Sequence, residues 1–377
     1  MSKHFIITLA TLIIIALGAG IAIFFTKGYS FSAKNGGLIG TGIISATSHP
    51  DGASVYIDGH LTTATNTNIS NLSPKIYKIK IAKDGFIPWE KDVQVTEGLV
   101  SEIKATLFPA LPTLYPLTVS GAESPVLSPD GGKLAFAVPF SSDGRSRQKG
   151  GIWVWTMTST PIAFARGAEP HQIVISTTDL DFAKATLAWS PDSKQLLVSL
   201  QEGGVEGEAN ARNYLLSSDG QTSVSNLRDI TPTLASTLKN WKDDQKVENE
   251  TRVASIKDLN TRKIASDSAT VKWSPDETKF MVREKTAKVY DLEDKKEYQL
   301  PEADTYLWLP DSLHVILVSE GKISVCEFDG GNTAVIYAGK FDEANVFPWP
   351  DSSRLVFLTS FDTPSASNPN LFGINLK

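Results

Sequence analysis

The sequence predicts an all-β chain led by one N-terminal transmembrane helix, with a small β-sandwich followed by a β-propeller. Three observations predict it. Phe5 to Phe25 is a run of 21 residues without a charge. From Gly42 to Phe108 short alternating segments succeed one another with no helical periodicity. From there on a single phrase recurs, Trp189-Ser190-Pro191-Asp192 followed by Leu196-Leu197-Val198, and the chain writes it five times.

The first element, residues 1–26, is read as a membrane anchor, because 21 apolar residues suffice to cross about 30 Å of hydrocarbon. A cleaved signal peptide has a shorter apolar region, about 7 to 15 residues, ending at a small-x-small site. Here Ala16-Leu17-Gly18 and Gly20-Ile21-Ala22 lie inside the run, which favours a retained anchor. Lys3 argues for an inside N-terminus, and Lys27 and Lys34 pull the other way. The chain beyond the anchor has an exported texture, so the expectation is a single-pass protein of the cell membrane with a cytoplasmic N-terminus and extracytoplasmic C-terminal domains. Residues 27–40 read as a Gly/Ser/Lys spacer.

Residues 41–108 are expected to form the sandwich. In Ile76-Tyr77-Lys78-Ile79-Lys80-Ile81 the isoleucines at 79 and 81 alternate with lysines, which puts one face inward and one in water. The Pro50-Asp51-Gly52-Ala53 turn, the hairpin Val55-Tyr56-Ile57-Asp58-Gly59 and the later Lys83-Asp84-Gly85-Phe86 together resemble the PEGA domain, with Asp51 where that turn has Glu. The resemblance implies a small surface module of bacterial envelope and archaeal S-layer proteins, without catalytic residues.

Pro109, Pro112 and Pro116 mark a boundary, and residues 111–377 are read as the propeller. The phrase appears at Leu127-Ser128-Pro129-Asp130, Trp189-Ser190-Pro191-Asp192, Trp273-Ser274-Pro275-Asp276, Trp308-Leu309-Pro310-Asp311 and Pro348-Trp349-Pro350-Asp351. Proline presets φ and Asp bonds nearby backbone, so each phrase reads as a tight reversal between two strands. The last two intervals, 35 and 40 residues, each fit one four-stranded blade. The repeats resemble the WD40-like repeats of TolB and of prolyl-oligopeptidase propellers, although only Ser128 to Gly131 keeps the full Ser-Pro-Asp-Gly. Five blades are recognisable, or six if the 84-residue interval holds a degenerate one. Within that interval residues 232–266 read as a helical insertion: Thr231-Pro232 looks like a helix start, and Leu234, Leu238 and Trp241 share a helical face. Leu114 to Val119 has no partner of its own and is expected to pair with Leu371 to Leu376 as the outer strand of the last blade.

The sequence offers little chemistry. Its five histidines (4, 49, 60, 171 and 314) never form a closely spaced pair, no Gly-x-Ser-x-Gly elbow occurs, and Gly36 to Gly42 lacks the Lys-Ser/Thr of a phosphate loop. No catalytic, cofactor or metal residue is assigned, and no cofactor is expected. The repeated Asp130, Asp192, Asp276, Asp311 and Asp351 are read as turn residues, Asp179 and Asp181 as solvated, Trp153 and Trp155 as sheet packing, and Cys326 as a buried apolar residue. Beyond residue 40 the chain carries 33 basic against 42 acidic side chains, which argues against a nucleic-acid partner.

The expectation is therefore a non-enzymatic, membrane-anchored extracytoplasmic binding or scaffold protein. It meets the bilayer through residues 5–25 and recognises a protein or a cell-wall glycan with its propeller. The competing reading is a glycoside-processing enzyme with paired carboxylates in the channel. Against it, Leu134 to Val138, Leu196 to Leu200 and Leu355 to Leu358, taken as inner strands, contain no acid.

Overall fold

The structure, a computed structural model, describes residues 3–26, 29–32, 37–140, 150–157, 169–201, 211–268, 270–360 and 368–377. It divides into two compact units, Met1–Leu111 with Lys377, and Pro112–Leu376.

In the first unit, Lys3–Thr26 is one helix, α1, of 24 residues. Among the described residues no helix is long and apolar enough to cross a membrane. On α1 the side chains described are those of residues 7–20 and Ile23, a continuous stretch of only ~21 Å at 1.5 Å per residue. Within it Ile7, Leu12, Ile14, Ile15 and Leu17 are all exposed. Part of the expected spacer is ordered backbone, since Tyr29–Ser32 and Gly37–Gly40 pair antiparallel. Lys27 and Lys34, on which the orientation argument drew, lie outside the described residues.

Two sheets then face each other around one core. Thr67–Leu72, Gly42–His49 and Val100–Thr106 form the first, the last two strands running parallel. His60–Ala64, Ser54–Ile57, Ile76–Ala82 and Trp89–Gln94 form the second. Alternation decides which side chains go in: Tyr77, Ile79 and Ile81 are buried with Ile44, Val55, Trp89 and Ile103, while Lys78 and Lys80 point to water. This module ends slightly later than expected at 108. The Ile87 amide donates to the Phe108 carbonyl and the Ala110 amide to that of Gly85, both at 2.8–2.9 Å, which ties the chain back through residue 110.

The second unit contains five small sheets among the described residues. Sheet one is Glu123–Leu127, Lys133–Val138, Gly151–Thr156 and His171–Ile175; sheet two is Thr186–Trp189, Gln195–Gln201 and Ala211–Ser217. Sheet three is Lys272–Trp273, Lys279–Arg283, Ala287–Asp291 and Lys296–Gln299; sheet four is Thr305–Trp308, His314–Ser319, Lys322–Glu327 and Ala334–Ala338. Sheet five joins the two ends of the unit, in the order Leu114–Pro116, Asn370–Asn375, Arg354–Thr359, Val346–Pro348. Leu114 faces Ile374 and Pro116 faces Phe372, the pairing expected from the sequence. Pro116 fits there because an edge strand leaves one side of its backbone unpaired.

In every sheet the strand before the Pro-Asp turn lies at one edge and the run after it lies inside. This corrects the sequence reading: Leu134 to Val138, Leu196 to Leu200 and Leu355 to Leu358 belong to second strands. Being covered on both sides explains why they are nearly continuous apolar runs.

Neighbouring sheets share cores. Ala135, Ile152 and Val154 of sheet one pack with Leu187, Trp189 and Val198 of sheet two. Met281 and Val289 of sheet three pack with Trp308 and Leu317 of sheet four. Phe136 and Trp155 of sheet one pack with Phe347, Val356 and Leu371 of sheet five and with Trp349 just beyond its first strand. Between sheets four and five the rings of Tyr337 and Phe357 lie 4.7 Å apart.

The long interval between sheets two and three holds no sixth sheet among the described residues. It holds a short 3-10 turn, Thr231–Thr233, then helices α2, Leu234–Ser255, and α3, Leu259–Asp267. Thr231 does not cap α2; its hydroxyl accepts the Asn213 amide of sheet two at 2.9 Å. The expected apolar face of α2 is not a core either, for Leu238 is 44% exposed and α2 buries no residue. The insertion instead packs through Val253, Ile256, Ile264 and Ala265 against Phe280 and Val282 of sheet three.

Candidate functional site

The five Pro-Asp turns share one internal geometry. In the first three, the serine hydroxyl donates to the aspartate Oδ1 (Ser128 to Asp130 at 2.5 Å, Ser190 to Asp192 and Ser274 to Asp276 at 2.6 Å). That carboxylate oxygen also accepts the amide two residues on, from Gly132, Lys194, Thr278, Leu313 and Ser353 in turn. The aspartates are therefore turn-formers. In the fourth turn, where Leu309 replaces the serine, His314 Nδ1 sits 2.8 Å from Asp311 Oδ2 instead. Burial works to raise the carboxyls of Asp130, Asp276 and Asp311, but these hydrogen bonds outweigh it and hold all three below the usual carboxylate range.

The residue after each Asp has a positive φ: Gly131 at 71°, Ser193, Ser312 and Ser352 near 58°, Glu277 at 59°. A non-glycine residue held there needs compensation, and the three serines have it. Ser193 Oγ accepts the Asp130 amide at 3.2 Å, Ser312 Oγ the Asp276 amide and Ser352 Oγ the Asp311 amide, both at 3.0 Å. Each serine thus ties its sheet to the preceding one. Indole groups repeat the stitch, with Trp189 Nε1 donating to the Val126 carbonyl and Trp308 Nε1 to that of Lys272.

Sheets two and three are joined differently. Glu277 stands in the serine position and pairs with Arg252 of α2 at 2.7 Å, and Trp273 Nε1 donates to Asn249 of α2 at 3.0 Å. Farther along the same helix, Trp241, Asp244 and Glu248 border a cavity shared with Ser190, Pro191, Asp192 and Gln195 at turn two. Both groups that elsewhere reach the preceding sheet here reach α2.

The first strands carry one acid among them, Glu123, whose carboxyl is pushed up by burial. The other residues singled out in the sequence sit where packing would put them. Trp155 is buried, edge-on to Trp349 at 5.4 Å, and Trp153 packs against the same cluster. Asp179 and Asp181 are exposed, with Asp181 accepting the Ala183 amide. Cys326 is fully buried in the core of sheets three and four, and burial pushes its thiol up to about 12. Among the described residues no group of acids, histidines and cysteine could hold a metal.

Sequence reasoning missed Lys272 and Arg283. Three residues before the turn proline the five repeats read Val126, Ala188, Lys272, Leu307 and Phe347; eight after it they read Ala137, Ser199, Arg283, Val318 and Leu358. The third repeat alone is charged in both columns. Aligning the repeats column by column would have found the pair.

Residues 41–110 match the PEGA domain. The match covers 70 of the 377 residues. No curated protein matches the chain. Among solved structures it is similar to a TolB candidate from Agrobacterium tumefaciens, with 16% identity over 69% of this chain and 82% of that one and a TM-score of 0.24. TolB from Acinetobacter baumannii gives 14% identity over 80% and 59%, with a TM-score of 0.25. An oligogalacturonate lyase from Vibrio parahaemolyticus gives 9% identity over 80% and 86%, with a TM-score of 0.27. Scores this low decide neither fold nor activity.

Proposed function

We propose that the chain is a membrane-anchored, extracytoplasmic binding or scaffold protein. Residues 5–25 hold it in the bilayer, a PEGA-type sandwich follows, and the second unit is a five-bladed propeller with α2 and α3 in the place of a sixth blade. The order of contacts, shared cores for one with two, three with four and five with one, and the Tyr337–Phe357 ring contact for four with five, supports the ring. The match of residues 41–110 to the PEGA domain carries the envelope reading. The anchor rests on the uncharged run of 21 residues from Phe5 to Phe25 in the sequence.

Such a platform presents loops and strand ends to a protein or glycan. The single acid on the first strands favours it over a glycosidase, which needs two carboxylates about 5 to 10 Å apart.

Topology and retention test the proposal together. A phosphatase fused after Lys377 is expected to be active outside the membrane, and the protein to stay in the membrane fraction with its N-terminus at or near Met1. A mature chain starting near residues 20–30 and released to the medium would overturn the anchor. An active cytoplasmic reporter in place of the phosphatase would overturn the orientation.

A further inference from the structure

The two charged positions that set the third repeat apart meet in one cavity. It has a volume of about 400 Å3 and lies between the first strands of sheets three and four, at the end away from the Pro-Asp turns. Thr270, Lys272, Arg283, Glu284, Thr305 and Tyr306 line it, over Met281.

Both cations converge on Tyr306. Lys272 Nζ donates to its carbonyl at 2.8 Å, and the Arg283 guanidinium lies over its ring, 5.9 Å from the centroid, while its Nη1 donates to the Asp304 carbonyl. The neighbouring sheet's backbone thus fixes each head group. An ammonium has three donors and a guanidinium five, so both retain donors for a ligand. Neither forms an ion pair among the described residues. Lys272 is exposed as a residue, yet burial of its ammonium, and then the charge of Arg283, lowers its pKa. Two like charges in one cavity, neither in an ion pair with a carboxylate among the described residues, are an electrostatic cost that a bound anion would reduce. Glu284, the carboxylate in the lining, is exposed and makes no ion pair with either cation among the described residues.

We propose that this cavity binds a small carboxylate ligand, with the Arg283 fork and the Lys272 ammonium on the carboxylate oxygens and the hydroxyls of Thr270 and Thr305 beside them. Arginine supplies the planar two-point contact that suits a carboxylate, and the volume is in the range of small-molecule sites, roughly 300 to 1,000 Å3. Sheets three and four build the cavity by themselves, so its ligand binding does not depend on the unit docking a macromolecule.

Calorimetric titration of the full-length protein at low salt tests this, with glucuronate, glucose and inorganic phosphate as probes. Glucuronate is expected to bind saturably and more weakly as salt rises, and glucose not to bind. Lys272→Met and Arg283→Gln should each weaken glucuronate binding about tenfold or more, the loss expected for a charge-assisted hydrogen bond. Glu284→Gln removes the negative charge from the cavity lining and should tighten binding, an effect that damage to folding cannot produce. Equal heats for glucuronate and glucose, glucuronate affinity untouched by all three substitutions, or tighter binding of phosphate than of glucuronate would each overturn the assignment.

Discussion

Replacing Ser312 separates two effects that the turn combines. Its hydroxyl accepts the Asp276 amide at 3.0 Å, it is 2% exposed, and its φ is 58°. Ser312→Ala keeps the left-handed backbone and removes the acceptor, leaving a partly buried amide unpaired at a cost of about 1–2 kcal/mol. Ser312→Gly loses the same bond but relaxes the backbone, which returns about 1 kcal/mol. The expected order of stability is wild type, then Gly, then Ala. For a unit of this size each kcal/mol moves Tm by about 2–4 °C, so the alanine variant should melt about 2–8 °C lower and the glycine variant within about 4 °C of wild type. Gly131→Ala calibrates the backbone contribution alone: its φ is 71° and a Cβ there meets nothing within 4 Å. The gap between Ser312→Ala and Ser312→Gly should equal the loss in Gly131→Ala. Scanning calorimetry of all three variants measures it. If the glycine variant melts as low as the alanine one, or the alanine variant matches wild type, the hydroxyl is not the stitch between sheets three and four.

Removing residues 371–377 takes away the strand between Leu114–Pro116 and Arg354–Thr359, so the second unit should lose its cooperative melting; a truncated chain with an unchanged transition would refute this. The turn carboxyls of Asp130, Asp276 and Asp311 lie below the ordinary 3.8 in the folded state. Their contribution is therefore complete above that unfolded value and lost as pH falls through the folded one, so Tm should be level from about pH 7 to 5 and fall below about pH 4, more shallowly in Asp276→Asn. The thiol of Cys326, fully buried and pushed up to about 12, should resist Ellman's reagent in the folded protein and react once per chain in denaturant; rapid labelling under native conditions would contradict its burial.

Local regularities made much of this protein legible from sequence. The Pro-Asp phrase fixes φ and offers a carboxylate to the next amides whatever surrounds it, so all five hairpins could be placed from sequence. Period-two alternation assigned Ile79 and Ile81 to a core for the same local reason. An unpartnered apolar segment before the first hairpin was enough to expect the pairing of Leu114–Pro116 with the last sheet. Where reasoning went wrong, the deciding quantity was a neighbour distant in the chain. A continuous apolar run such as Leu134 to Val138 says that a strand is covered on both faces, not which strands flank it, and only the sheet order made it a second strand. Leu234, Leu238 and Trp241 share a helical face by spacing, but what lies opposite that face is a tertiary fact, and the insertion is held by Val253, Ile256 and Ala265. Ser193, Ser312 and Ser352 looked like lapses from a glycine pattern. Their hydroxyls are explained only by an amide 36 to 63 residues earlier in the chain, brought within 3.0–3.2 Å by the packing of one sheet on the next. Lys272 and Arg283 stand out once the repeats are aligned, but that they meet in one cavity depends on the carbonyls of Tyr306 and Asp304, more than 20 residues away in the chain.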